Sequence, residues 1–149
     1  MITIKNTQRR IPFDTDNFKH KAQLILQELG YQEFELGIWL TTDQTIQRYN
    51  KKFRNKNKPT DVLSFPYHPT LQAGQRITVT EPEDMNLGDI IISVPYVYEN
   101  KHNLEGSFND RMNRMLVHGV CHLLGYDHIE DQEFEAMSKL ENTLLKKIS

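Results

Sequence analysis

Three histidines near the carboxyl terminus have the spacing of metal ligands. Residues 118–128 read HGVCHLLGYDH, with His118 and His122 four positions apart and His128 six positions further on. Because residues four apart lie one turn above each other on the same helix face, the first two imidazoles can bind one ion. Gly125 ends the helix and turns the chain back, so that His128 can supply a third ligand. Three neutral imidazoles suit zinc and leave a fourth position open, which is the arrangement of a catalytic site.

The residue after the first histidine separates this pattern from that of the zinc peptidases. Peptidases with the HExxH motif have a glutamate there, which takes a proton from the attacking water, whereas this chain has Gly119. A bound metal lowers the pKa of water to about 7 without such a base. A site that lacks the carboxylate also repels a phosphodiester less. The pattern therefore favours a phosphate substrate over a peptide.

Two other interpretations of the histidines stay open from the sequence. The spacing is accidental if two of them are surface or hydrogen-bonded residues, and the site is structural if a fourth protein ligand completes it. Cys121 and Asp127 are the nearby candidates for that ligand. Helix geometry turns Cys121 away from His122 and predicts a packed, small apolar residue. A carboxylate beside a ligand often orients it or caps the next helix, and we expect one of these roles for Asp127.

A cluster of cations precedes the histidine motif within residues 50–58, which read NKKFRNKNK. The cations of this basic cluster are Lys51, Lys52, Arg54, Lys56 and Lys58. Such a cluster can bind a polyanion through its phosphates. It is equally typical of the solvated carboxyl-terminal end of a helix, where cations interact well with the dipole. Charge alone does not decide between the two.

The pattern of apolar residues predicts an α+β fold. Period-two alternation in FELGIWL and short apolar runs in MITIKN, VLSF and DIIIS predict four strands. The segment 66–86 between the last two strands is predicted to be an exposed excursion. The chain is expected to be one domain over residues 1–149, with a small mixed sheet of about four strands covered by helices. Helices are predicted between Asp14 and Gly30, over about 43–53, from a capping box at Ser107 and Asp110 to about Leu124, and over about 131–147.

Within these helices, the apolar stripes assign Phe53 and Phe134 to buried faces.

The composition is that of a soluble globular protein: of 149 residues, 38% are hydrophobic and 26% charged, and the formal net charge is −2. No stretch resembles a signal peptide or a membrane span, and a single cysteine fits a reducing compartment. We therefore expect a cytoplasmic protein without a membrane partner.

Three motifs together resemble one protein family. NKKFRNKNKPTDVLSFP, LGDIIIS and HGVCHLLGYDH, in this order and spacing, resemble the YbeY family of bacterial metal-dependent endoribonucleases of ribosomal RNA maturation. The resemblance spans about Thr42 to His128. It implies a zincin-like fold, one zinc ion per chain held by the three histidines, and single-stranded RNA as the substrate. One departure is Cys121, where the family usually has leucine.

The resemblance also marks Arg54 as essential. A guanidinium can hold a phosphate in a bidentate manner and stabilise the charge that grows on it during attack; a structural ion pair is the alternative. Lys51, Lys52, Lys56 and Lys58 are then candidate RNA phosphate contacts. For Ser64 and the Gly88-Asp89 strand start we expect structural roles, with the edge strand as a shelf for substrate.

The expected function is thus that of a zinc-dependent endoribonuclease that cuts single-stranded RNA in ribosomal RNA processing and ribosome quality control. Its expected partners are ribosomal RNA and the ribosome or its proteins. Two rivals stay open. One is a zinc metallopeptidase, and the other is a non-catalytic RNA-binding factor of ribosome assembly whose metal is structural.

Overall fold

Four strands and five α-helices make up the fold, and the computed structural model describes residues 1–149. A short 3₁₀ helix, Pro82–Asp84, precedes the last strand. No helix combines the length and the apolar character that crossing a membrane requires. The elements in chain order are β1 (Ile2–Asn6), α1 (Thr15–Leu29), β2 (Glu35–Thr41), α2 (Asp43–Arg54), β3 (Val62–Pro66), β4 (Asn86–Ser93), α3 (Val94–Glu99), α4 (Phe108–Leu123) and α5 (Asp131–Ile148).

The four strands form one mixed sheet in the order β1-β2-β4-β3. β1, β2 and β4 run parallel, whereas β3 pairs antiparallel with β4 and forms an edge. Parallel neighbours require a crossover connection, and α1 lies in the one between β1 and β2. The predicted α+β fold with a small mixed sheet of about four strands is confirmed. The six-residue helix α3 was not predicted from the sequence.

One face of the sheet packs against α1, α4 and α5 to form the main core. In β2 the alternate residues Leu36, Ile38 and Leu40 are at most 2% exposed, as the period of two predicts. α4 faces this layer with a buried stripe that includes Leu116 and Val120. The helix that carries the first two histidines is therefore held rigidly against the sheet.

The other face of the sheet is only partly covered. α2 packs on it through Ile46, which forms a small second core with Leu63 and Ile91. The remainder of this face, toward the start of β2 and the end of β3, has no helix above it and forms a groove.

Two aromatic residues that the sequence assigned to buried helix faces are exposed. Phe53 near the end of α2 is 55% exposed, and Phe134 near the start of α5 is 57% exposed. Both predictions were wrong for the same reason. α2 extends beyond its small core at Phe53, and the buried residues of α5 begin only at Met137. A residue in the apolar stripe of a helix remains exposed where the end of the helix extends beyond the elements that pack against it.

Local signals set both ends of α4. The Ser107 hydroxyl accepts the N–H of Asp110 at 3.1 Å, and the Asp110 carboxylate accepts the N–H of Ser107 at 3.0 Å, which is the predicted capping box. After the helix, Gly125 has a φ of +89°, and a side chain there would collide with the backbone carbonyl of Leu71. The turn that returns the chain toward α4 therefore requires glycine.

The segment between β3 and β4 is irregular apart from its 3₁₀ turn, in agreement with the sequence. It is nevertheless anchored to the end of α1. Arg76 donates to the carbonyls of Leu29 at 2.7 Å and Gly30 at 3.1 Å, and its guanidinium lies 4.1 Å from the centre of the Tyr31 ring.

Candidate metal centre

The three histidines predicted as ligands come together at the carboxyl-terminal end of α4. One ring nitrogen from each lies within 4.8 Å of the others. His118 and His122 present their Nε2 atoms 3.0 Å apart. His128 reaches them from the loop after Gly125, with its ring centre 5.8 Å from that of His118 and 5.5 Å from that of His122. The chain contains no second group of three metal-binding side chains.

Hydrogen bonds direct the lone pairs of the two helical imidazoles into this cluster. His122 Nδ1 donates to the backbone carbonyl of Tyr126 at 2.9 Å, and His118 Nδ1 donates to the Glu141 carboxylate at 3.0 Å. A carbonyl or an ionised carboxylate can only accept, so each neutral ring carries its proton on Nδ1 and leaves Nε2 as the ligand atom. Burial, followed by the neighbouring His118, lowers the pKa of His122 and favours its neutral form.

This donor set fits a divalent transition metal. Two lone pairs 3.0 Å apart repel each other unless a cation lies between them. Zinc binds imidazole nitrogens at about 2.0–2.1 Å, which places tetrahedral ligands about 3.3 Å apart. The observed separation is close to that value. Three imidazoles also leave one coordination position for water or substrate.

Neither candidate for a fourth protein ligand joins the cluster. Cys121 is fully buried in the main core, and burial raises the pKa of its thiol to about 12, so it is not a thiolate. Its predicted packing role is confirmed. Asp127 accepts the backbone N–H of His128 at 2.7 Å and lies 3.7 Å from the ring Nδ1 of that residue. It bonds to the backbone of the third histidine and not to its ring, and it does not cap α5, whose N-cap is Glu130.

Glu141 is a residue of the site that the sequence analysis missed. It lies on α5, 23 positions after His118, and is brought to the cluster by the packing of α5 on α4. A carboxylate on the far nitrogen of a metal-binding imidazole fixes the orientation of the ring and raises its basicity. The available signal was a glutamate in the apolar stripe of α5, one turn from Met137 and from Leu144.

We expect Glu141→Gln to weaken zinc binding by about 10- to 100-fold while the fold is retained, because the amide keeps the shape and loses the charge. Competition with a chromogenic zinc chelator measures the affinity. Glu135→Gln, an exposed position on the same helix, is the matched control. Equal affinities for the two variants would show that the carboxylate does not act on the metal position.

The close packing of α4 on the sheet accounts for the glycine at position 119. A Cβ at this position would lie 2.9–3.1 Å from three carbon atoms of the Ile90 side chain in β4, so a side chain there would require Ile90 or the helix to shift. The Ser64 hydroxyl of β3 donates to the Gly119 carbonyl at 3.3 Å and ties the edge strand to the same turn of helix. The glutamate of a zinc peptidase would fit here only if the Ile90 side chain repacked or the helix moved away from the sheet.

A groove of about 430 Å³ opens beside His118, between α4, α5 and the start of β3. Arg114, one helical turn before His118, lines this groove with Asp61, Ser138 and Glu141. Its guanidinium is exposed and forms no ion pair or hydrogen bond. The sequence analysis missed Arg114, although its four-residue spacing from His118 places both on one helix face. The metal position is thus open to solvent beside a free cation.

Arg54 and the four lysines lie at the end of α2 and in the loop that leads to β3. All five side chains are exposed, and none forms an ion pair or a hydrogen bond. The structural ion pair considered for Arg54 is therefore absent. The loop itself is ordered by the buried Asn50, whose amide donates to the carbonyl of Lys58 at 2.9 Å. The basic cluster is held in place while its charges remain free.

Arg54 makes no hydrogen bond with the histidines, but both sites adjoin the edge strand β3. Phe53, next to Arg54, packs its ring 5.2 Å from that of Phe65 on one face of β3. The preceding strand residue, Ser64, bonds to Gly119 beside His118 on the other face. A substrate that crosses the edge strand can therefore contact both Arg54 and the histidines.

Comparison with known proteins agrees with this geometry. A family model described as endoribonuclease YbeY matches residues 3–149. A human endoribonuclease YbeY is 37% identical over 147 residues, covering 99% of this chain and 87% of the relative. An endoribonuclease YbeY of Aquifex aeolicus is 37% identical over 149 residues, covering 99% and 91%. The solution structure of a Thermotoga maritima protein superposes with a TM-score of 0.65 at 25% identity, covering 99% of this chain and 89% of that one.

Proposed function

Because the chain belongs to the endoribonuclease YbeY family and is a hydrolase that acts on RNA, we propose that it is a zinc-dependent enzyme that cuts single-stranded RNA. The observation that carries the zinc dependence is the convergence of three imidazole nitrogens with no fourth protein ligand. We further propose that ribosomal RNA is the substrate, in processing, maturation and ribosome quality control, and that the ribosome or its proteins are partners. The family resemblance supports this last step.

In this proposal His118, His122 and His128 hold the metal, Glu141 orients the His118 ring, and Asp127 positions the backbone of His128. Zinc bound there supplies a Lewis acid and a water of lowered pKa. Both neighbouring carboxylates accept hydrogen bonds from the ligand residues, which gives them a positioning role in this proposal. The chain thus provides three neutral imidazole ligands, and the adjoining groove is lined by the carboxylates of Asp61 and Glu141 and by the cation of Arg114.

Arg54 is proposed as the catalytic side chain. Its guanidinium is exposed, unpaired and adjacent to the edge strand, so it is available to bind a nonbridging phosphate oxygen pair. Lys51, Lys52, Lys56 and Lys58 are proposed to contact neighbouring phosphates. Contacts of this kind make binding strongly salt-dependent and insensitive to base sequence.

Single-stranded RNA suits this surface better than a duplex does. Proteins that bind single strands combine a cationic track with exposed aromatic rings, and the exposed Phe53 lies within the basic cluster.

The single-domain organisation over residues 1–149 and the cytoplasmic location remain predictions from the sequence.

The two rivals fit less well. The chain lacks the glutamate of a zinc metallopeptidase, and the Ile90 side chain packs closely against Gly119 in its place. A structural metal usually has four protein ligands, and only three are present in the cluster.

One assay separates the three functions. The purified protein is incubated with a single-stranded RNA, the matching RNA duplex and casein, each with and without a chelator. Cleavage of the single strand alone, abolished by chelation and restored by zinc, is expected. Casein cleavage would favour the peptidase, and RNA binding without cleavage in the presence of zinc would favour the assembly factor.

The attacking group is also predictable. Cleavage by the RNA 2′-hydroxyl normally requires a base positioned to deprotonate it, and the two carboxylates next to the histidines, Glu141 and Asp127, already accept hydrogen bonds from the ligand residues. We expect water to attack, so an oligonucleotide with one 2′-deoxy substitution at the scissile position is still cut there. Full protection of that linkage, with a 2′,3′-cyclic phosphate on the normal product, would contradict this prediction.

A further inference from the structure

The open face of the sheet beside α2 contains a groove of about 390 Å³, separate from the histidine cluster. The strand register aligns Thr3, Gly37, Asp89 and Phe65 in one row across β1, β2, β4 and β3. α2 packs on the neighbouring row, which includes Ile91. The row with Gly37 and Asp89 at its centre is therefore left uncovered.

Aromatic rings line one side of this groove. Trp39, Tyr49, Phe53 and Phe65 follow one another with ring centres 5.4, 6.0 and 5.2 Å apart. Phe53 is 55% exposed, so part of this aromatic wall is open to solvent. Nucleobases stack on rings of this kind whatever their sequence. The groove has the dimensions and the walls for one planar aromatic ligand.

A carboxylate without a partner lies on the floor of the groove. The Asp89 side chain forms no hydrogen bond and no ion pair, and it is exposed. Gly37 is opposite it in the register, and a Cβ there would collide with the carboxylate. The absence of a side chain at Gly37 thus makes room for Asp89. An ionised carboxylate only accepts hydrogen bonds, so the preferred ligand offers N–H donors.

Lys5 lines the groove, and Lys52 lies against Phe53, one of the aromatic rings of its wall. Lys5 Nζ lies 4.9 Å from the centre of the Trp39 ring, and Lys52 Nζ lies 5.3 Å from that of Phe53. An acceptor inside an aromatic groove with cations around it is complementary to a nucleotide, whose phosphate is negative and whose base edge carries donors.

We propose that this groove is a subsite for one unstacked base of single-stranded RNA, with guanine preferred. Guanine presents N1–H and its 2-amino group side by side, so both oxygens of Asp89 accept from one base while the ring stacks on Phe53. Inosine lacks the amino group, and uracil offers a single N–H. The inference rests on the proposed endoribonuclease function and adds a base preference to it.

The subsite and the histidines lie on opposite faces of β3. Phe65 faces the groove, whereas Ser64 bonds to Gly119 of α4. An RNA strand that crosses this edge reaches both sites. Because the two sites are on opposite faces, the bound base belongs to a nucleotide outside the cleaved linkage.

Trp39 is the only tryptophan of the chain, and its fluorescence therefore reports on the groove directly. The zinc-loaded protein is titrated with guanosine, inosine and uridine 5′-monophosphates, which contain no linkage to cleave, with excitation at the red edge and N-acetyltryptophanamide as the absorption control. Saturable quenching is expected, with the dissociation constant for the inosine nucleotide about tenfold higher than that for the guanosine nucleotide.

Two variants separate recognition from stacking. Asp89→Asn is expected to bring the guanosine and inosine nucleotides to equal affinity, whereas Phe53→Ala weakens both about tenfold and keeps the preference. The matched controls are Asp16→Asn on α1, which packs on the opposite sheet face, and the exposed Phe134→Ala. Circular dichroism confirms that each variant is folded.

The outcomes for the subsite and for the nuclease are distinguishable. Quenching with this preference in a protein that does not cleave RNA supports the subsite and refutes the nuclease proposal. RNA cleavage without nucleotide-dependent quenching overturns the subsite, as does equal affinity for the three nucleotides in the unchanged protein. A shift of Trp39 emission with protein concentration alone would also overturn it and would assign the groove to a second copy of the chain.

Discussion

His122→Ala is expected to lose nearly all of its zinc under conditions in which the unchanged protein retains one equivalent. Complete zinc sites bind with about 10–16 kcal/mol, so one of three ligands contributes several kcal/mol and its loss raises the dissociation constant by at least about 100-fold. Elemental analysis after dialysis measures the content, and chelator competition measures the affinity. RNA cleavage is lost with the metal.

Thermal unfolding gives an independent readout of the same variant. A ligand that binds only the folded state stabilises it by about 2.7 kcal/mol at 100 times its dissociation constant. Zinc should therefore raise the melting temperature of the unchanged protein and not that of His122→Ala. His20→Ala, at an exposed position on α1, is the control. This variant should retain both the bound zinc and the rise in melting temperature that zinc causes. A full equivalent of zinc in His122→Ala would refute the assignment of the three histidines.

Arg54→Ala is expected to lose RNA cleavage by about 100- to 1,000-fold, the usual cost of removing one donor from a transition-state charge. The loss should fall mainly on kcat, with a smaller effect on KM, because the clamp acts on charge that develops during the reaction. Zinc content and melting temperature should be unchanged, since the Arg54 side chain forms no ion pair or hydrogen bond in the folded protein. Single-turnover cleavage of a labelled RNA measures the effect.

Arg54→Lys should be nearly as inactive, because an ammonium group cannot reproduce the planar fork of the guanidinium. The control is Arg48→Ala, an exposed arginine on the same helix, for which only a small change is expected. Loss of zinc or unfolding of Arg54→Ala would identify this arginine as structural. Full activity of the lysine variant would reduce its role to that of a simple positive charge.

His122→Ala and Arg54→Ala test two sites that adjoin opposite faces of the edge strand β3. The histidines on α4 are required for metal and activity together, whereas Arg54 at the end of α2 is required for activity alone. Lysine variants of the basic cluster should instead raise KM most at low salt, with a smaller difference from the unchanged protein as the salt concentration rises, because phosphate contacts outside the reacting linkage act on binding and are screened by salt. These different signatures distinguish metal, catalytic and binding residues within one set of assays.

What the sequence determined by itself is local. The spacing of His118 and His122 places both on one helix face, Gly125 turns the chain back to bring His128 near, and Ser107 with Asp110 begins the helix that carries them. Each of these features depends on helix periodicity or on hydrogen bonds within a few residues, and the structure places them as predicted. The alternation in β2 and the strand-forming runs predicted the mixed sheet for the same reason.

What only the tertiary structure decided depends on packing between residues far apart in the chain. Glu141 meets His118 because α5 packs on α4, and the space at Gly119 is limited because the Ile90 side chain of β4 lies against it. Phe53 is exposed because α2 covers only part of the sheet. The groove around Asp89 exists because the strand order β1-β2-β4-β3 places Gly37 beside it. Local periodicity constrains which face a residue occupies, but it does not specify which distant element covers that face.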